Sequence, residues 1–337
     1  MQLEIKVDPD TKNLLNELRK AGLGDRAIRA AWPAWWSDDM AASPSSRAEL
    51  RFALARKLGL SPKPLLGERV EFIWKDKARF KHLSVHDFNQ QDAMTSFGVS
   101  VGRLLLHATM ETHPINSISA TSLRQAVLSN ANYVDLQTLL ATCWAIGIPV
   151  IHLRVFPLDT KSMHAMVVED RGRHAILLGR DANYPAPVAF TLAHELGHIM
   201  LGHLEGASAI VDLEESTEFE EGDPQEQEAD EFALTLLTST PSPDIRTNIS
   251  QFGARALAKA VLEAAPRYGI EPGTLALCLA YREKMWPTAI ASLRHIYSES
   301  KPVWNEVNSI ANQQLDWGQL NEESAEYLHN VMLGSDD

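Results

Sequence analysis

Two histidines four residues apart enclose a glutamate in the string His194-Glu195-Leu196-Gly197-His198. On a helix, residues four apart lie about 40° apart around the axis, so both imidazoles leave one face and can share a metal ion. Glu195 sits about 100° round from His194, where its carboxylate reaches a water beside the metal without being a ligand. This arrangement suits zinc-assisted hydrolysis, in which zinc polarises a carbonyl and acidifies water while Glu195 takes up a proton and returns it to the leaving amine. The flanking runs 187–193 and 199–201 are apolar and predict a buried helix. Buried histidines and a buried glutamate need partners, and one metal ion supplies them.

A catalytic zinc takes three protein ligands and keeps a fourth position open. Residues 225–237 read as a second helix with an apolar face. Glu226 and Asp230 are four apart and share a face, whereas Glu228 lies about 200° from Glu226. Glu226 is the expected third ligand and Glu228 the alternative. Asp230, one turn later, is expected to accept a hydrogen bond from the outer ring nitrogen of a ligand histidine, fixing its tautomer. His203 follows His198 by five residues instead of the six of the three-histidine pattern, so it is expected to be a polar residue near the end of the motif helix.

The string Ala193-His194-Glu195-Leu196-Gly197-His198, followed by Glu226-x-x-x-Asp230-x-Phe232-Ala233 and an apolar helix, resembles the ImmA/IrrE metallopeptidases, zincins with a glutamate ligand. The resemblance implies His194, His198 and Glu226 as zinc ligands and Glu195 as general base. It is specific from residue 133 to 241 and weaker to about residue 285. The chain has Asp230 where the family commonly has asparagine, and Thr238-Ser239-Thr240-Pro241 where it often has Met-Pro; neither departure removes a ligand.

The elements that must position these residues are legible in part. Apolar spacing predicts a helix over 134–144 with Gly147 as its stop, and a β-rich run over 148–155. Segments 163–168 and 174–178 flank Asp170-Arg171-Gly172 and read as a hairpin. The expected fold is α+β: mostly helical, with a small antiparallel sheet packed on the zincin-like helix and an edge strand beside the metal able to hold an extended peptide. His164 and His174 on the strands, and Tyr184, are candidates to stabilise an oxyanion.

The 337 residues carry two cysteines, Cys143 and Cys278, in apolar helical runs, which indicates no disulfide framework and a reducing compartment. Both read as buried small hydrophobes, with a zinc-blocking thiolate the alternative for Cys143. Neither a signal sequence nor a membrane span is legible, so a soluble cytoplasmic protein is expected. Of the net charge of −13, nearly all comes from residues 205–231, with twelve acidic and no basic residues. The run 212–223 reads as a mobile, solvated acidic loop joining the metal-binding helices; the alternative is an acidic lip that draws basic substrates to the cleft.

Four segments are expected: a helical module over 1–66, a mixed connecting or sensor region over 67–132, the peptidase core over 133–241 and a helical region over 242–337. In the first, 12–21, 25–31 and a helix from residue 47 are predicted, and residues 47–62 resemble the later part of a repressor-type helix-turn-helix without a clear recognition helix. Eleven basic against eight acidic residues there give little phosphate affinity, so packing is favoured over DNA binding. In the second, 70–74 reads as a strand, 75–82 as a basic patch, and 99–108 and 122–128 as helices. In the last, 255–265 and 274–285 are the clearest helices, and residues 268–276 resemble the small helix-turn-helix-like element that often follows the metal site in the family. The resemblance implies site-specific cleavage of a helix-turn-helix repressor or antitoxin-like partner under stress, DNA damage or phage and mobile-element activity. The rival is a DNA- or protein-binding regulator with a structural zinc.

Overall fold

Arg171 (φ 56°) and Gly172 (φ 75°) both take left-handed conformations, the geometry of a two-residue type I′ turn whose twist matches the strands it joins. In the computed structural model, which describes residues 8–67, 69–75, 77–81, 88–111, 117–158, 163–213, 223–245 and 252–334, this hairpin is the centre of a five-stranded sheet. The strands are β1 (Ala78–Lys81), β2 (Val150–His152), β3 (Met163–Asp170), β4 (Arg173–Leu178) and β5 (Ala209–Leu213). Their order is β1-β5-β3-β4-β2. β3 and β4 pair antiparallel as the predicted hairpin, β5 adds antiparallel to β3, and the outer two strands join in parallel, so the sheet is mixed where an antiparallel one was expected.

Around it the described residues form fourteen α-helices. Before β1 lie α1 (Pro9–Lys20), α2 (Asp25–Ala31), α3 (Pro44–Leu58) and α4 (Pro62–Leu66). Between β1 and β2 lie α5 (Phe88–His107), α6 (Ala120–Leu128) and α7 (Leu136–Ala145). The motif helix α8 (Pro185–Met200) follows β4, and α9 (Pro224–Thr238) follows β5. The chain closes with α10 (Ala254–Tyr268), α11 (Pro272–Glu283), α12 (Trp286–Ile296), α13 (Val303–Gln314) and α14 (Glu322–Leu333). None of the described helices is long and apolar enough to cross a membrane.

The middle of the sheet is buried on both faces, which is why β2, the body of β3 and β4, and the start of β5 are apolar nearly throughout, whereas the edge strand β1 is not. Successive side chains point to opposite faces. Met166, Val168, Leu177 and Val211 enter one buried cluster with α5, while Ala165, Val167, Ile176 and Ile210 enter another with α7, α8 and α9. α5 lies close on its face: a Cβ on Gly102 would come within 2.7 Å of Val168 Cγ1. The first cluster runs from Leu14 to Met332, so α1–α3, α5, the sheet and α14 share one core. Asn308 of α13 ties the ends together by accepting from the His152 backbone N–H and donating to the carbonyls of His152 and Met332. Helices α10–α12 enclose a third cluster.

Several local expectations change in this context. Residues 70–74 make only a bridge between Leu60 and Phe72. The basic patch contains β1, an edge strand that Asp212 and its neighbours on β5 pair with. Asp212 and Leu213, read as the start of the acidic loop, belong to β5; residues 214–222 of that loop lie outside the described residues. The basic residues of α3 are engaged internally: Arg47 donates to the Ala41 carbonyl, Arg51 pairs with Asp10, Arg56 with Glu323, and Lys57 lies over the Tyr327 ring.

Arg124 of α6 is buried and donates to the carbonyls of Leu236 and Leu237 at the end of α9 and of Gly269 at the end of α10. These are carbonyls a helix end leaves without intrahelical partners. Arg124→Leu is expected to lower stability by about 2–4 kcal/mol, because charge-assisted bonds are lost and buried acceptors stay unpaired. Urea unfolding would show this as a lower midpoint with unchanged slope; an unchanged midpoint would contradict it.

Candidate metal centre

Helix α8 carries Pro185 in its first turn and buries Leu192, Ala193 and Leu196 against the sheet and α7. That fixes its rotation and turns His194 and His198 toward α9. The two helices meet at Gly197, where a Cβ would stand 3.1 Å from the Ala229 carbonyl oxygen and 3.2 Å from its Cα. Asp223 caps α9 by accepting the Gln225 N–H, which places Glu226 in its first turn facing the histidines.

The ligand atoms of His194, His198 and Glu226 lie within 4.8 Å of one another. The Nε2 atoms of the two histidines are 3.1 Å apart, and the Glu226 oxygens stand 3.3 Å from His194 Nε2 and 3.4 Å from His198 Nε2. Tetrahedral coordination with bonds of about 2.0–2.1 Å puts neighbouring ligand atoms about 3.3–3.4 Å apart, so the three side chains are gathered at close to the spacing of zinc ligands. Two imidazoles and one carboxylate are also a donor set zinc accepts. Asp230 Oδ1 lies 2.9 Å from His194 Nδ1.

Glu195 is fully buried, and neither of its carboxylate oxygens has a hydrogen-bond partner among the described residues. Burial, with Asp212 and Glu226 nearby, pushes its pKa from 4.5 up to about 8 against the pull of His194. Burial alone would also lower the His194 pKa, but Asp230 and Glu226 lift it well above 6.5; His198 is lowered, chiefly by burial. For the metal-free protein the Glu195 shift has a definite sign. Between pH 4.5 and about 8 the unfolded chain has released a proton that the folded chain retains, so this group's contribution to stability falls as pH rises and levels off above. The stability of metal-free Glu195→Gln relative to wild type should therefore increase from about pH 5 to about pH 8.5. Denaturant unfolding at both pH values tests this, and parallel curves would contradict it.

Among the other residues singled out, His164 reaches the site's margin. At the register shift between Met163 and Ala165 its Nδ1 lies 3.8 Å from Asp212 Oδ2, and the charge of Asp212 is among those that raise the Glu195 pKa. His174 pairs opposite Glu169 beside the hairpin turn, about 15 Å along the strand from that end. Tyr184 caps the start of α8 and stacks on Tyr297, about 15 Å from His194 by helix rise. Cys143 is buried and its thiol is pushed up to about 12 by burial, so it is no thiolate; burial likewise pushes Cys278 to about 12.

Two residues have larger parts than their sequence positions suggested. His203 lies just beyond the helix, with Nδ1 2.9 Å from His198 Nδ1 and Nε2 3.0 Å from Glu228 Oε2. Glu228, expected to face elsewhere, thus joins the surroundings of the site through His203. The signal was Gly202: a glycine at positive φ ends the helix and folds the next residue back over the last turn.

Residues 145–275 match the Peptidase_M78 family model, the IrrE N-terminal-like domain. The matched segment runs from the end of α7 through the hairpin, α8, β5, α9 and α10 into α11, and so contains all three donor residues and Glu195. It is the family that the sequence motifs resemble, and the M78 match supports a metallopeptidase. No curated protein and no solved structure matches the chain.

Proposed function

We propose that the chain is a zinc-dependent, site-specific endopeptidase that cleaves a helix-turn-helix repressor or antitoxin-like partner in a stress, DNA-damage or mobile-element response. The observation that carries the catalytic part is Glu195: a fully buried carboxylate with both oxygens unpaired among the described residues, next in sequence to one of three gathered zinc donors. A structural zinc site closes with four protein ligands and has no use for such a group.

Bound zinc would supply a Lewis acid that polarises the scissile carbonyl and acidifies water. His194, His198 and Glu226 would hold it, and Asp230 would orient His194 by accepting its Nδ1–H. Glu195 takes the proton of the attacking water and carries it to the leaving nitrogen. The substrate class rests on the family resemblance. It is supported by the acidic stretch 205–231, whose charge suits a partner with a basic surface.

Co-expression with helix-turn-helix regulators encoded beside this chain tests the reading. Cleavage of one regulator at one bond, abolished by Glu195→Gln and weakened by salt, is expected. Intact regulators throughout, or indiscriminate digestion of unfolded proteins, would sink the proposed substrate class.

A further inference from the structure

We propose that His203, oriented by Glu228, is a positioning residue for the metal ligand His198, as Asp230 is for His194. The inference rests on the zinc reading above. It starts from the way α8 ends. Leu201 is the last helical cap, Gly202 follows at φ 75°, the Gly202 N–H donates to the Ile199 carbonyl, and the His203 N–H donates to the His198 carbonyl. This is the Schellman arrangement, in which the residue after the glycine is carried back against the residue three before the cap. Those two residues are His203 and His198. The position usually holds an apolar contact; here it holds two imidazoles with Nδ1 atoms 2.9 Å apart.

Proton placement then follows. If His198 presents Nε2 to the metal, its Nδ1 carries the hydrogen and donates it to His203 Nδ1. His203 must be protonated on Nε2, and that nitrogen lies 3.0 Å from the acceptor Glu228 Oε2. Every ring nitrogen of the pair thereby has one role, and the His198 ring cannot turn without leaving a buried N–H unpaired. His203 is itself 4% exposed, and β1 fixes its backbone: Arg79 donates to the carbonyls of His203 and Glu205. Arg79 lies outside the M78-matched segment, so the preceding region helps to hold the His198 side of the site.

Partners of this kind typically set metal affinity by about 10–100-fold. Zinc affinity of the full-length protein, measured against a competing chromogenic chelator, is expected to fall about 10–100-fold in His203→Leu. It should recover largely in His203→Asn, whose side-chain oxygen can stand where Nδ1 does. Glu228→Ala removes a side chain 61% exposed, spares the fold, and is expected to give an intermediate loss. The nitrogen-15 imidazole spectrum of the zinc-loaded protein should show His203 protonated at Nε2 and bare at Nδ1, a signature that a purely packing role would not impose. Should His203→Leu fail to fold, His203→Asn, Glu228→Ala and this spectrum still decide. Wild-type affinity in both His203→Leu and Glu228→Ala, no recovery in His203→Asn over His203→Leu, or the opposite His203 tautomer would overturn the positioning role while leaving the zinc centre intact. Failure of wild type itself to bind zinc would instead overturn the metal reading and this inference with it.

Discussion

Glu226→Ala should purify folded but largely free of zinc. Structural zinc binding is worth about 10–16 kcal/mol spread over four ligands, so one ligand contributes about 3–4 kcal/mol and its loss weakens binding about 10²–10³-fold. Burial would raise the Glu226 pKa, but hydrogen bonds from His194 and His198 outweigh it and hold the carboxyl far below the usual range. His194→Ala should behave alike. Elemental analysis after dialysis against a weak chelator reads the effect, and a stoichiometric zinc content in either variant would remove that residue from the ligand set.

Glu195→Gln is expected to keep its zinc and lose cleavage. Glutamine has nearly the same shape and fits the same buried space, but it cannot take a proton from water. General acid-base groups contribute about 10²–10⁴-fold, which corresponds to about 3–5 kcal/mol of barrier. Single-turnover cleavage of the partner regulator, with zinc content measured in parallel, separates loss of the base from loss of the metal. A variant as fast as wild type would assign the proton transfer elsewhere.

The helix that carries His194 and His198 was legible in the sequence because its information is local. Helical geometry alone puts His194 and His198 on one face, and the same phase argument puts Asp230 beside Glu226. Helix phase said less about Glu228, because its long side chain reaches sideways to His203, a residue whose position depends on the turn after α8. The hairpin announced itself through its turn residues. Strand β1 did not, because its four residues pair in parallel with β5, whose first residue is 131 positions later, and nothing local marks such a pairing. The opposite error at 70–74 has the same origin, since β-rich residues without a neighbouring strand make only a bridge. The packing of α3 against the C-terminal helix was equally hidden. Arg56 and Trp35 both bind Glu323, a contact between chain ends that residue periodicity does not encode.

The central claim is that one zinc is held by two imidazoles and one carboxylate with a fourth position left open, and zinc-edge X-ray absorption of the purified wild type tests it most directly. One zinc per chain, a shell of nitrogen and oxygen at about 2.0–2.1 Å, and scattering from two imidazoles are expected. A third imidazole, a sulfur shell at about 2.3 Å, or no zinc at all would contradict it.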